Sequence, residues 1–398
     1  MVDQEESHIN KNTKVHKILH LSMSDVNFDS RILKSIAAGR ELGVEVVAIG
    51  CLDYLSLGTG VDKTSTLDNV KRWLRKKRIF RPLKIIFNWS YFIKHWFSYL
   101  KLQFRIYKKI RETTPSVVHC HDWHLLACAV LAKFGSHYKI LYDAHELESA
   151  TNGLSRSRGL LITAIERLCW SQIDFFITVN ISILDWYESK YSKLPSAIVM
   201  NSPEYALEKE KSLKGPRELF EIPKSAHLYV YVGYFYRGRG IELALDAFSR
   251  ELNKSYIVFL GEGPLETEIQ EKAQKSRNIF MHPMIEHSQV VPWISEANFG
   301  LCLLEAVSLS DYYSLPNKFF EYAFADLTIL ASKFPELDKL VKKHNLGQII
   351  DNSSNALYSE LTKNESNYEM HRKPIDLDEL SWWNQKEKLK QAYKYLFN

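Results

Sequence analysis

Cysteine is scarce and unpaired in this chain of 398 residues. Five are present (Cys51, Cys120, Cys128, Cys169 and Cys302), an odd number without any C-x-x-C spacing. A full disulfide framework is therefore excluded, and a reduced cytoplasmic interior is expected. Long apolar runs are missing too. No stretch reaches the roughly 18 uncharged apolar residues of a spanning helix, and Met1 to Lys14 is polar, without the apolar core of a signal peptide. Neither a membrane crossing nor secretion by a standard signal is expected. No short repeat and no low-complexity linker is visible. Nothing reads as a His/Cys ligand cluster, and no sequence feature calls for a resident cofactor. One absence is local: from Lys71 to Arg111 there is no Asp or Glu, against 14 Lys and Arg. The whole chain carries only +5, so the remainder sums to −9, an asymmetry that calls for a partner or a surface.

What is present is a globular composition, 45% hydrophobic and 25% charged, in a chain long enough for two domains. Strand-like and helix-like runs alternate. Residues 17–22 and 44–49 read as strands around a helix over 30–42 that Gly43 stops. Further strands are predicted at 116–119, 139–142, 175–179 and 197–200, with helices at 124–134, 160–171 and 181–191 between them. A polar break at Asn201-Ser202-Pro203 follows. The pattern restarts with strands at 228–232, 256–260, 278–281, 299–304, 327–331 and 348–350. This alternation predicts an α/β protein with two parallel, Rossmann-like sheets facing across a cleft. The divisions expected are 1–204, 205–375, and a terminal helix in 376–398. Ligands then belong at the carboxyl ends of the strands.

Those ends carry the informative residues. The first strand of the second half runs into Gly233-Tyr234-Phe235-Tyr236-Arg237-Gly238-Arg239-Gly240 before a helix. Glycine lets backbone approach a ligand, a helix N-terminus attracts anions, and two arginines suit a diphosphate. The next strand ends in Gly261-Glu262-Gly263-Pro264. Later comes Ser314-Leu315-Pro316-Asn317-Lys318-Phe319-Phe320-Glu321-Tyr322. Pro316 starts a helix, and Lys318 and Glu321, three apart, share one face of it. A lysine in a first turn opposes the helix dipole and implies an anion nearby. Glu321 can accept two hydroxyl hydrogen bonds, as from a ribose diol.

In this order the motifs resemble the donor domain of family 4 glycosyltransferases, which have the GT-B fold, and the Pro-Asn-Lys-x-Phe-Glu-Tyr wording is similar to their bacterial polysaccharide branch. The first half agrees through Asp29-Ser30-Arg31-Ile32, His119-Cys120-His121-Asp122-Trp123-His124, Tyr142-Asp143-Ala144-His145-Glu146-Leu147 and Asn201-Ser202-Pro203. The resemblance spans roughly residues 17–395 and implies a retaining, metal-independent transferase that takes its sugar from a nucleotide diphosphate sugar, with UDP-hexose or UDP-HexNAc favoured. It implies that Arg239 and Lys318 hold the diphosphate, Glu321 the ribose, and His145 the donor sugar. Gly233, Arg237, Gly261, Gly263 and Asn317 complete the expected donor site. Asp25, Asn27, His121 and Asp122 are expected at the acceptor side, and His119 and His124 as buried structural histidines. Two positions depart from the family: Tyr234 and Tyr313 stand where a basic residue and a glutamate are usual. Arg237 and Asp311 are the expected substitutes. Asp326 stands where a glycine is usual.

The basic segment 71–111 interleaves its charge with aromatic residues, among them Trp73, Phe87, Trp89, Trp96 and Phe104. Such segments suit an anionic membrane surface. The expected setting is thus peripheral, on the inner face of the cytoplasmic membrane, with a lipid-linked glycan acceptor for surface polysaccharide synthesis. No nucleic-acid module is visible. Two rival readings share the architecture: a sugar-nucleotide 2-epimerase and a non-catalytic partner subunit.

Overall fold

The computed structural model describes residues 16–27, 29–50, 99–204, 213–367 and 377–398. Most of the basic aromatic segment, 71–98, lies outside the described residues, as do 205–212 and 368–376 at the expected divisions.

Two six-stranded, all-parallel sheets are present. The first has the order β2-β1-β3-β4-β5-β6, with β1 Lys17–Ser22, β2 Glu45–Gly50, β3 Val117–His121, β4 Lys139–Ala144, β5 Phe175–Thr178 and β6 Ser196–Ile198. The second has the order β12-β11-β10-β7-β8-β9. Its strands are β7 His227–Val232, β8 Ser255–Leu260, β9 Ile279–His282, β10 Phe299–Cys302, β11 Thr328–Ser332 and β12 Gly347–Ile350. Their central strands are buried on both faces, which explains their continuous Val, Ile, Leu and aromatic runs.

The helices of the first half are α1 Ser30–Glu41, α2 over 99–113, α3 Leu126–Lys133, α4 Arg156–Cys169 and α5 Ile181–Lys190. α2, α3, α4 and α5 cover one face of the sheet through a shared core of Ile106, Ile110, Ala129, Trp170 and Tyr187. α1 lies on the other face. The second half holds α6 Pro216–Leu219, α7 Ile241–Phe248, α8 Glu266–Lys275, α9 His287–Ile294, α10 Leu309–Tyr312, α11 Asn317–Phe324, α12 Pro335–His344 and α13 Ser354–Asn367. The last helix, α14 Trp382–Phe397, buries Trp382, Leu389, Tyr393 and Leu396 against Ile18, Val117, Leu141 and Ile177 of the first sheet. Trp383 faces solvent. Its neighbour takes the buried side of the helix, and adjacent residues cannot share it.

Both apolar packing, of Met200 on the second-half core and of Tyr313 on the first-half core, and hydrogen bonds join the halves. Asn180 Nδ2 donates to Tyr313 O at 2.7 Å, Asn201 Nδ2 to Asn317 Oδ1 at 3.1 Å, and Ser182 N and Oγ to Glu336 Oε1 at 3.0 and 2.6 Å. Among the described residues no helix is long and apolar enough to cross a membrane.

Candidate active site

The two strand-end regions approach each other where His145-Glu146-Leu147 meets α10. Leu147 N donates to Ser310 Oγ at 3.2 Å, and Ser310 Oγ contacts Glu146 Oε2 at 3.5 Å. The next residue, Asp311, faces Arg239 of the second half at 3.5 Å.

On the second-half side lies a cavity of about 570 Å³, lined by Tyr231, Gly233, Tyr234, Arg239, Asn317, Lys318 and Glu321 among others. α11 presents Lys318 and Glu321 on its buried face. Lys318 Nζ sits 3.5 Å from the centroid of the Tyr231 ring and, among the described residues, has no hydrogen-bond partner. Burial lowers its pKa to about 7, with Arg239 adding to that effect. A desolvated ammonium over an aromatic face gains part of its lost hydration from the ring, but it remains a donor in want of an acceptor. Burial likewise raises Glu321 to about 7 against the opposing pull of Lys318, and His287 Nδ1 stands 3.6 Å from its carboxylate. The lysine and glutamate therefore do not satisfy each other. Both face a cavity that a polar ligand would complete.

Gly261 and Gly263 do not line this cavity. They have φ of 156° and 146°, and a Cβ at either would lie 2.0 Å from Gly233 O or 2.6 Å from Phe235 O. Their place is to let the β8 loop pack onto the β7 loop, which fixes the backbone that carries Arg239. Arg237 also lies outside the cavity. Its side chain is 76% exposed and 3.9 Å from Glu242, so Tyr234 and not Arg237 faces the space. Tyr313 packs its side chain on the first half's core, leaving Asp311 as the acid beside Arg239.

On the first-half side, β3 and β4 are parallel neighbours with His121 opposite Asp143. Their ends place Asp122 beside His145. His145 Nδ1 is 3.4 Å from Asp122 Oδ1 and its Nε2 3.4 Å from Asp143 Oδ2. Burial alone would lower the pKa of His145, but these two carboxylates outweigh it and raise it, which favours the charged ring. Asp122 has φ 59° and ψ 172°, a region costing a non-glycine residue on the order of 1–3 kcal/mol and common at functional sites. Burial, and with it the negative Asp122, raises the pKa of Glu148 well above the usual carboxylate range.

Beneath His145 lies a network in which sequence reasoning assigned no role to Arg31, Asp143 or His20. Arg31 clasps Asp143 through Nε at 3.0 Å and Nη2 at 2.6 Å and donates Nη1 to Val199 O at 2.9 Å. His121, expected to face the cleft, is fully buried. It lies between His20 at 3.0 Å and His145 at 3.2 Å, because its side chain points to the face of the sheet covered by α14. His119 is buried and bonded to Tyr393 of α14 at 2.8 Å. The expectation that no histidine cluster exists is thus corrected: ring nitrogens of His20, His119 and His121 gather within 4.8 Å, as do ligand atoms of His121, Asp143 and His145. The rings of His119 and His121 stack at 4.1 Å instead of converging, burial lowers the pKa of all three buried histidines, and Arg31 already stands on Asp143. This arrangement fits neutral imidazoles around one buried ion pair better than a cation site. Asp25 and Asn27 lie in the β1–α1 loop, where Asn27 N and Nδ2 donate to Asp25 Oδ1 at 3.0 and 3.1 Å. Asp29 caps α1 through Arg31 N and Ile32 N.

Residues 40–200 match the sequence profile of Glycosyltransferase Family 4. No curated protein matches the chain by sequence. Among solved structures it is similar to sucrose-phosphate synthase from Thermosynechococcus elongatus, at TM-score 0.57 and 13% identity over 96% of this chain and 95% of that one. It is also similar to the lipopolysaccharide outer core galactosyltransferase WaaB, at 0.56 and 13% over 96% of each. A third is Anabaena HepE in complex with UDP-glucose, at 0.59 and 10% over 96% and 95%. By fold the chain is GT-B, the two-domain architecture of these structures, and its residues 40–200 are similar to Glycosyltransferase Family 4. The two facing sheets are the two Rossmann-like domains of that fold, and the cavity lies at the strand ends of the second sheet.

Proposed function

We propose that this glycosyltransferase moves a hexosyl or N-acetylhexosaminyl group, with retention, from a UDP-sugar to a lipid-linked glycan at the inner face of the cytoplasmic membrane, in surface polysaccharide synthesis. The observation that carries the donor reading is the ammonium of Lys318. It is buried, without an acceptor, and lines a cavity with Arg239 and Glu321. A diphosphate between Lys318 and Arg239 supplies the missing acceptor, and a ribose diol satisfies Glu321. UDP is favoured because similar structures hold it, HepE with UDP-glucose among them.

In the proposed reaction the acceptor hydroxyl attacks the anomeric carbon on the face from which the diphosphate departs. The departing phosphate oxygen takes the hydroxyl proton, the C–O bond to the acceptor forms, and the C–O bond to phosphate breaks. Arg239 and Lys318 stabilise the charge that develops on the diphosphate, so no bound metal is needed. Chelation by EDTA is expected to leave turnover unchanged. His145, fixed between Asp122 and Asp143, orients the sugar from the opposite side of the cleft.

Thermal-shift titration with UDP, GDP and their sugars, followed by incubation with a lipid-linked acceptor, tests this reading. Stabilisation by UDP-sugars and acceptor-dependent release of UDP are expected. Epimer formation without acceptor would replace the reading with the epimerase, and absence of any donor binding with the partner subunit. Arg239→Ala should lower transfer about 30-fold or more, since removing one member of a buried charge contact costs roughly 2–5 kcal/mol. Turnover near wild type in that variant would refute the diphosphate assignment.

A further inference from the structure

The outer layer of the first half exposes large apolar side chains that no other described residue covers. Phe104 of α2, Leu131 and Phe134 of α3 and its C-terminus, and Leu160, Leu161 and Leu168 of α4 are each more than half exposed. These helices belong to one layer. Arg111 Nη1 of α2 donates to Phe134 O at 2.9 Å, and Lys133 of α3 donates to Gln172 O just beyond α4 at 2.8 Å. Along α4 the outward residues Leu161, Ala164 and Leu168 recur at helical spacing, so they form one stripe.

The charge around the stripe is mainly positive. α4 flanks it with exposed Arg156, Arg158 and Arg167, while its single acid, Glu166, is turned inward. There the carboxylate accepts hydrogen bonds from the hydroxyls of Tyr187 at 2.6 Å, Tyr142 at 2.8 Å and Tyr191 at 3.3 Å. α2 adds exposed Lys101, Arg105, Lys108 and Lys109, whereas Lys133 of α3 is paired with Asp174 at 2.7 Å. Glu112 is the one exposed acid of the three helices.

We propose that the α2–α3–α4 face is a membrane-docking surface for an anionic lipid bilayer, with the leucines and phenylalanines entering the interface and the lysines and arginines engaging lipid phosphates. Single exposed apolar residues are ordinary, but a stripe of them flanked mainly by cations is the pattern of an interfacial helix. A protein partner of mixed charge would leave most of those cations without complementary groups. The inference rests on the reading above, in which the acceptor is lipid-linked, and it names the surface by which the enzyme would reach it.

Co-sedimentation with vesicles of phosphatidylcholine containing phosphatidylglycerol, compared with phosphatidylcholine alone, tests it on the full chain. Binding to the anionic vesicles is expected, weakening as salt is raised beyond about 0.15 M, where the screening length is about 8 Å. Leu161→Ser with Leu168→Ser should weaken binding at least tenfold, and Arg156→Glu with Arg158→Glu by a similar factor. The thermal shift with UDP-glucose should be unchanged in both, which shows that the variants fold. Absent vesicle binding by the wild type, or binding indifferent to both pairs, overturns the proposal. So does a solution dimer lost with Leu168→Ser, which would make a second copy the occupant. Acceptor transfer without vesicle binding sinks only this surface. Vesicle binding without UDP-sugar binding sinks the transferase reading and leaves the surface standing.

Discussion

At Lys318 burial and charge oppose each other, and the outcome sets a pH dependence. In the free protein its pKa lies at about 7 because burial disfavours the ammonium. A diphosphate binds the charged form, so donor binding must recruit the proton. Above pH 7 the charged fraction falls tenfold per unit, and the dissociation constant for UDP-glucose is expected to rise toward that slope by pH 9. UDP-glucose serves better than UDP here, because its diphosphate diester does not titrate in this range. Calorimetric titration between pH 6 and 9 measures it. Lys318→Gln should bind more weakly and lose the slope, and a flat profile in the wild type would remove Lys318 from the phosphate. The sign follows from linkage: a lysine whose pKa is depressed in the free protein penalises the charged state below about pH 7, and the ligand's charge repays it there. Glu321, raised to about 7 by the same burial, ionises as pH rises through that range. Its contact with hydroxyl donors should then strengthen, so Glu321→Gln should steepen the loss with pH.

The elements that carry these side chains are held by contacts that no local pattern reveals. α11 is seated by Tyr322, whose hydroxyl accepts from Val232 N at 2.9 Å and donates to Leu301 O at 3.2 Å. Its ring lies over Gly300, where a Cβ would come within 2.3 Å of it. Tyr322→Phe leaves the buried Val232 N–H without that acceptor and should destabilise the protein by roughly 1–3 kcal/mol. Urea unfolding followed by circular dichroism measures this, and a loss below about 0.5 kcal/mol would show that α11 is held by packing alone. The helix itself was legible in the sequence from Pro316 and the Lys318–Glu321 spacing, and most strands lie within a residue or two of their predicted places. Strand register was not legible. His20 stands opposite His119, and His121 opposite Asp143, so a histidine and carboxylate network arises from residues up to 125 positions apart between His20 and His145. Arg31 was visible within Asp29-Ser30-Arg31-Ile32, yet its partner Asp143 lies on another strand. Asp326 is the converse case. The expected glycine is absent, but Asp326 still adopts φ 58°, because the helix end requires a left-handed residue and an Asp tolerates it better than a branched side chain.

Across the whole molecule, the residues proposed to hold the donor and to orient its sugar come from opposite halves, so their meeting depends on a seam that combines the packing of Met200 and Tyr313 with hydrogen bonds. Glu336, buried in the first turn of α12, accepts from both Ser182 N and Ser182 Oγ at the start of α5. One carboxylate thereby serves two helix N-termini, an arrangement that the dipoles of both favour. Asn180 adds a second tie, capping α5 through Ile183 N at 2.9 Å while donating to Tyr313 O. Partly polar interfaces between domains permit relative motion, and this one positions His145 against the cavity only while such bonds persist. Glu336→Ala removes a charged acceptor worth roughly 1.5–3 kcal/mol. The cavity's lining lies wholly in the second half, so the dissociation constant for UDP-glucose should stay within about twofold. Transfer to acceptor should fall about tenfold or more, at roughly 1.4 kcal/mol per tenfold. Equilibrium binding and kcat/KM measured on the same preparation separate the two effects. Equal losses in both would mean that the substitution disturbs the second half itself, and no loss in either would mean that the seam does not govern the alignment of His145 with the donor.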